Sequence, residues 1–326
     1  MVNLISVIIP NYNGASTIKE CLDSVFSSSH DNFEVIVVDD CSEDNSVEVI
    51  SRYPCRLVRL EKLSGAAYAR NAGAYHSRGE ALFFTDADCL VMENTLANAA
   101  KTISDMEDPV IIGGTYTIVP ADNHFFSRFQ SVFINYSETK NMHNPDYIAT
   151  HAMVINSKAF RQSGGFSGES LPILEDVEFS HCMRKKGFRL IMSPDILVRH
   201  IFDYTLARSL ANAFRKSMYW TIYSLKNRDI LNDSGTASRE LKTNVVLYFV
   251  SLMLLISGIL SRTFILHSLL PVIFLLNITI NNRLLDAFYK TGGIKFSVAA
   301  SLYYIFVYPL AVGTGVISGL IRYLIK

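Results

Sequence analysis

From residue 4 to about residue 115, short runs of β-branched and aromatic residues alternate with stretches of helical spacing, and few folds accommodate that rhythm. "LISVIIP", "FEVIVVDD", "RLVRL", "EALFFTDAD" and "PVIIGGT" read as strands. Between the first two, Ile18, Cys21, Leu22, Val25 and Phe26 recur on one helical face, and Thr17 with Glu20 has the spacing of a capping box. Strands that are apolar throughout are covered by helices on both faces. The expectation is a doubly wound, mostly parallel α/β sheet, Rossmann-like in character. Ligands of such sheets collect beyond the carboxyl ends of the strands, so the residues following each apolar run are where chemistry belongs. The first strand is followed by no G-x-G-x-x-G, which disfavours a dinucleotide and hydride transfer.

"FFTDADCL" sets Asp86 and Asp88 one residue apart where an apolar strand ends. At a period of two, both side chains leave the same side of the chain and converge. Converging carboxylates repel unless a cation lies between them, and hard oxygen ligands suit a Mg2+ or Mn2+ that completes its shell with water and phosphate oxygens. The twelve-residue calcium loop does not apply, because its glycine and distal glutamate are missing. A solvated pair in a turn is the other reading of a lone D-x-D. Asp39 and Asp40 end the neighbouring strand and suit the N–H groups of a nucleobase or a ribose hydroxyl; a turn and a helix N-cap fit them equally. "AYARNAG" brings Arg70 and Asn71 to the same edge, with a surface salt bridge the alternative for Arg70.

Of the 326 residues, 49% are hydrophobic, and the excess is concentrated near the C-terminus. The runs 244–260, 263–280 and 297–321 hold no Asp, Glu, Lys or Arg, and each is close to or above the roughly 17–25 residues that cross a bilayer as a helix. The first two read either as spans or as a re-entrant hairpin. Before them, residues 208–242 hold seven Lys/Arg against three Asp/Glu, and Leu206, Leu210, Phe214, Met218, Ile222 and Leu225 recur at helical spacing. That pattern suits a helix lying on the cytoplasmic surface of a membrane among anionic lipids, with Trp220 as an interfacial anchor. Arg283, Lys290 and Lys295 place the second linker on the cytoplasmic side too, giving a multi-pass protein of the cell (inner) membrane. The start "MVNLISVIIPNYNG" lacks the basic residue and cleavage site of a signal peptide, so it belongs to the folded domain. Five cysteines without a C-x-x-C pair fit a reducing cytoplasm, and zero net charge argues against a nucleic-acid partner. Oligomeric state is left open.

Taken in order, "SVIIPNYNG", "EVIVVDDCSEDNS", "ARNAG", "FTDADC" and "GGF…LEDVEFSHCMRKKG" resemble the family 2 glycosyltransferases of the A-type nucleotide-diphospho-sugar fold, over about residues 4–204. The resemblance assigns a catalytic domain to 1–204; the apolar runs and Lys/Arg placement assign a juxtamembrane helix and linker to 205–242, a membrane region of about three segments to 243–326, and the cytoplasmic side to the catalytic domain. The resemblance implies that Pro10, Tyr12, Asp39 or Asp40, and Arg70 line the nucleotide pocket, beside which Asn71 is the further candidate cofactor-binding residue, that Asp86 and Asp88 hold the metal-diphosphate, and that the anomeric centre is inverted. Inversion needs a base for the acceptor hydroxyl. Glu175 and Asp176 match the family's Glu-Asp pair, with Asp176 the expected base and Glu175 its fallback; N-terminal helix capping is their alternative role. His200 corresponds to a histidine near the metal or diphosphate in related enzymes, or else is a packed imidazole, and His151 starts a strand on the acceptor side. The expected activity moves one sugar from a nucleotide-diphosphate sugar, with UDP as nucleotide, to a lipid-linked or cell-envelope glycan acceptor. "FRKSMYW" lacks the Q-x-x-R-W of processive polysaccharide synthases, the second enzyme reading; a non-catalytic nucleotide-binding membrane scaffold is the third.

Overall fold

The computed structural model describes residues 4–106, 109–168, 171–262 and 264–325. Thr263, at the head of the second apolar run, and Lys326 lie outside them. The chain divides into two compact units, 1–123 with 138–203 and 124–137 with 204–326.

The first unit is built on an eight-stranded sheet: β1 (Ile5–Asn11), β2 (Phe33–Asp39), β3 (Arg56–Arg59), β4 (Ala81–Phe84), β5 (Cys89–Val91), β6 (Val110–Tyr116), β7 (Met153–Asn156) and β8 (Arg189–His200), in spatial order β3-β2-β1-β4-β7-β6-β8-β5. The ladders β3–β2, β2–β1, β1–β4 and β6–β8 are parallel, and the Rossmann-like half agrees with the apolar runs that define it. The sheet as a whole is mixed: β7 runs antiparallel to both β4 and β6, and β5 antiparallel to β8. The cause is that the chain re-enters β7 at the end of the sheet where β6 stops, so β7 must run back. A consequence is that the start of β7 stands beside the carboxyl ends of the other strands.

Around the sheet lie α1 (Ile18–Phe26), α2 (Ser46–Ile50), α3 (Ala66–His76), α4 (Thr95–Ser104), α6 (Ser157–Ser163) and α7 (Glu175–Lys185). Ile18, Cys21, Leu22 and Val25 of α1 are buried, as their spacing predicts. The capping box does not form: Thr17 occupies the N-cap, but the turn at 14–17 draws its Oγ1 back to donate to the Gly14 carbonyl at 3.4 Å. α3 lies close on β1, since a Cβ at Gly73 would come within 2.5 Å of Ile8 Cγ2. That close approach brings Arg70, one turn earlier, to the end of the sheet.

The second unit contains most of α5 (Phe125–Thr139), then α8 (Leu206–Asn227), α9 (Arg239–Ser261), α10 (Leu270–Leu302) and α11 (Tyr308–Ile325). α8 packs along α11 where Gly315 and Gly319 leave no side chain; a Cβ there would meet the Phe214 carbonyl at 2.4 Å and the Met218 carbonyl at 2.5 Å. Among the described residues, two stretches are long and apolar enough to cross a membrane, Arg239–Ser261 and Ile265–Ile325. The second contains a break at Gly293 (φ 67°, ψ −169°) and a π-helical turn at Tyr303–Val307. Such a turn frees backbone carbonyls, and here Asn244 Nδ2 donates to the Tyr304 carbonyl at 2.8 Å, while Asn277 donates to Asn244 and Tyr304 Oη to Asn281.

Candidate active site

Strand ends and one helix start converge in the first unit. Asp86 and Asp88 follow β4 in a turn closed by the Cys89 N–H donating to the Asp86 carbonyl at 3.0 Å. The antiparallel register of β5 with β8 pairs Cys89 with His200, and the Ile201 N–H donates to the Asp88 carbonyl at 2.9 Å. This pairing sets Asp88 Oδ1 3.5 Å from His200 Nε2. The imidazole is held in plane by Phe202, stacked at 3.9 Å, and by Tyr116, which meets it edge-on at 5.0 Å.

Arg70 ties two acidic motifs together. Its Nη2 donates to Asp86 Oδ1 and its Nη1 to Glu175 Oε1, both at 2.6 Å, and the arginine side chain is only 5% exposed. Glu175 opens α7, whose Val177, Phe179 and Met183 are buried and fix where the acidic pair stands. Asp176 follows at a half-buried position and accepts from the Val177 N–H at 2.8 Å. Burial raises the Asp86 carboxyl, but the Arg70 guanidinium outweighs it and holds Asp86 below the usual carboxylate range. Asp88 is the opposite case. Burial, helped by the charge of Asp86, pushes it above that range in spite of His200.

Behind these groups stands a second pair. Glu138 accepts from Thr115 Oγ1 at 2.7 Å and faces His151 Nε2 at 3.4 Å, an ion-pair contact. His151 is buried and stacks on Tyr116 at 4.0 Å, so His151, Tyr116, His200 and Phe202 form one aromatic ladder. Burial lowers the His151 pKa, but Glu138 and, further off, Asp86 and Asp176 reverse that, leaving it raised. Tyr116 and Glu138 belong to no motif that the sequence singles out; the signal for Tyr116 is its place at the end of β6.

The residues expected on the donor side divide by what they touch. Tyr12, beyond β1, is 51% exposed, and Pro10 lies within β1. Asp39 accepts from Asn11 Nδ2 at 3.0 Å and from the Ser42 N–H at 3.3 Å. Asp40 accepts from the Ser64 and Gly65 N–H groups, both at 2.7 Å, and so fastens the turn that leads into α3. Asn71 makes a two-way bond with Phe166, Nδ2 to the carbonyl at 2.8 Å and Oδ1 from the N–H at 2.9 Å, which fastens the Gly-Gly turn to α3.

One guanidinium thus serves two carboxylates, Asp86 and Glu175, while Asp88 and Asp176 follow them along the chain; Asp88 next to Asp86 adds negative charge that a divalent cation would balance. One ligand atom from each of Asp88, Cys89 and His200 lies within 4.8 Å of the others. Cys89 does not suit a hard ion, because burial first, then the charges of Asp88 and Asp86, raise its thiol well above the ordinary value and keep it protonated. A carboxylate and an imidazole remain, with Asp86 adjacent, and that donor set fits Mg2+ or Mn2+.

Residues 6–164 match the family described as Glycosyl transferase family 2. The chain carries a family 2 glycosyltransferase domain. Within it lie every donor-side residue and both aspartates of the D-x-D; Glu175, Asp176 and His200 follow it. The chain is similar to Glycosyltransferase GlyG of Streptococcus pneumoniae, 32% identical over 131 residues that make up 39% of this chain and 44% of that protein. It is similar to the poly(ribitol-phosphate) beta-N-acetylglucosaminyltransferase TarS of Staphylococcus aureus, 34% identical over 33% of this chain and 20% of TarS. The chain therefore spans less than half the length of these relatives. A solved mannosyltransferase, PcManGT from Pyrobaculum calidifontis in complex with GDP-Man and Mn2+, shares the fold with a TM-score of 0.60 at 19% identity, over 99% of this chain and 87% of that one.

Proposed function

We propose that this family 2 domain is an inverting, metal-dependent glycosyltransferase that moves one sugar from a nucleotide-diphosphate sugar, a UDP-sugar by family resemblance, to a lipid-linked or cell-envelope glycan acceptor. The observation that carries this reading is Arg70, which holds the metal-side Asp86 and the acidic start of α7 at 2.6 Å each within one site. Asp88 and His200, with Asp86 beside them, would hold a divalent cation, which supplies positive charge to the departing diphosphate. Tyr12 offers an exposed ring to the nucleobase beside Pro10, while Asp39, Asp40 and Asn71 hold the loops that frame the nucleotide. The complex of PcManGT with GDP-Man and Mn2+ supports both donor class and metal.

Of the acidic pair, Glu175 gives Oε1 to Arg70, so Asp176 is the group that takes the proton of the acceptor hydroxyl. The acceptor oxygen then bonds to the anomeric carbon as the bond to the diphosphate breaks on the opposite face. The acceptor class is supported by the likeness to TarS, a transferase of poly(ribitol-phosphate), and by the two apolar helices that would keep the chain at a bilayer with the domain on its cytoplasmic side. The test is mass spectrometry of products after incubating the purified full chain and membrane lipids with a panel of nucleotide sugars. A single added hexose-type mass on a lipid or glycan is expected; long polymer, or nucleotide binding without any product, would overturn the proposal.

A further inference from the structure

The second unit holds a half-open cavity of about 320 Å3, within the range of small-ligand sites, bounded by α5, α8, the 230–237 segment, α9 and α11. Its wall is mainly apolar, represented by Trp220, Val245 and Val312, yet two lysines border it, Lys216 from α8 and Lys242 from the first turn of α9. Both lysines are half-buried. Gln130 also lines it, and its Oε1 is buried with no hydrogen-bond partner among the described residues. An amide oxygen only accepts, so what it lacks is a donor, and a buried acceptor left unpaired is costly.

We propose that this cavity binds one phospholipid with an anionic, hydroxyl-bearing headgroup. The phosphate meets Lys216 and Lys242, a headgroup hydroxyl donates to Gln130 Oε1, and hydrocarbon lies along Trp220, Val245 and Val312. Charge complementarity selects an anionic ligand over a neutral one, and the unpaired acceptor selects a headgroup that can donate. The bilayer is the source, because α9 is itself long and apolar enough to cross one. This site stands apart from the donor and acceptor chemistry: its lining residues all belong to the second unit, and it does not depend on the glycosyltransferase reading.

The test is native mass spectrometry of the full chain in detergent, titrated with phosphatidylglycerol, phosphatidic acid, phosphatidylcholine or inorganic phosphate. One phosphatidylglycerol per chain is expected, held at least tenfold more tightly than phosphatidylcholine and not displaced by free phosphate. Each of Lys216→Ala and Lys242→Ala should weaken it about five-fold. Gln130→Leu should erase the preference for phosphatidylglycerol over phosphatidic acid. Val312→Phe, which fills the cavity without touching charge, should remove the bound lipid while leaving the melting temperature unchanged or raised. Equal retention of phosphatidylcholine, displacement by phosphate, or undiminished binding in the lysine or Val312 variants would overturn the proposal.

Discussion

Arg70 is a buried cation shared by two carboxylates that enter the site from different elements, and its removal takes from both their hydrogen-bonded counter-charge. Breaking a buried ion pair costs about 3–5 kcal/mol, and the low end applies because Asp86 keeps 32% of its side chain exposed. Arg70→Ala should therefore lower the unfolding free energy by ~3 kcal/mol in a denaturant titration, besides abolishing transfer. Asp176→Asn makes a different prediction: turnover should fall by roughly 10²–10⁴ with little loss of stability, which single-turnover kinetics and a thermal melt would check together. The acidic residues were legible in sequence because Asp86 and Asp88 end a strand and Glu175 and Asp176 open a helix. The role of Arg70 was not, since its partners lie 16 and 105 residues away. Asp40 and Asn71 illustrate the same limit. Their residue types fit nucleotide contacts, but only folding reveals that backbone N–H and carbonyl groups already engage them.

At the scale of elements, β1, β2 and β4 were readable because each is built on a run of buried apolar residues, whereas β5 is three residues, Cys89–Val91, following directly on the Asp86–Asp88 turn. Its register with β8 is what sets Asp88 beside His200, so a short strand decides the geometry of the candidate cation site. The reversal of β7 was hidden for a related reason: strand direction depends on the end of the sheet at which a connection returns, which hydrophobic pattern does not encode. α8 was legible as amphipathic, and Met218 and Ile222 of its apolar stripe are buried, but Trp220 is buried too and lines a cavity. Its seat on α11 depends on two glycines one helical turn apart. Gly315→Leu should force the helices apart and lower the melting temperature of the detergent-purified protein by several degrees, as overpacking typically costs about 1–3 kcal/mol. An unchanged melting temperature would show that the seam bears no packing load.

On the scale of the whole molecule, a family 2 domain is joined in one chain to helices that suit a bilayer, and basic residues at 208–242 and 283–295 favour the side where the proposed catalysis occurs. Single cysteines introduced at Arg262 or Ile325, after replacing the native five, should label with an impermeant maleimide from outside intact cells; exclusive labelling from the inside would reverse the orientation. The central claim is metal-dependent sugar transfer at the Asp86, Asp88 and Asp176 cluster. Its most direct test is nucleoside-diphosphate release by the purified full chain with donor sugars and membrane lipids, for wild type and Asp88→Asn, with Mn2+ or with EDTA. Wild type with Mn2+ should release the diphosphate, and EDTA or Asp88→Asn should cut that release at least about a hundredfold, as expected when electrostatic stabilisation of a leaving group is removed. Release that is undiminished in both would contradict the claim.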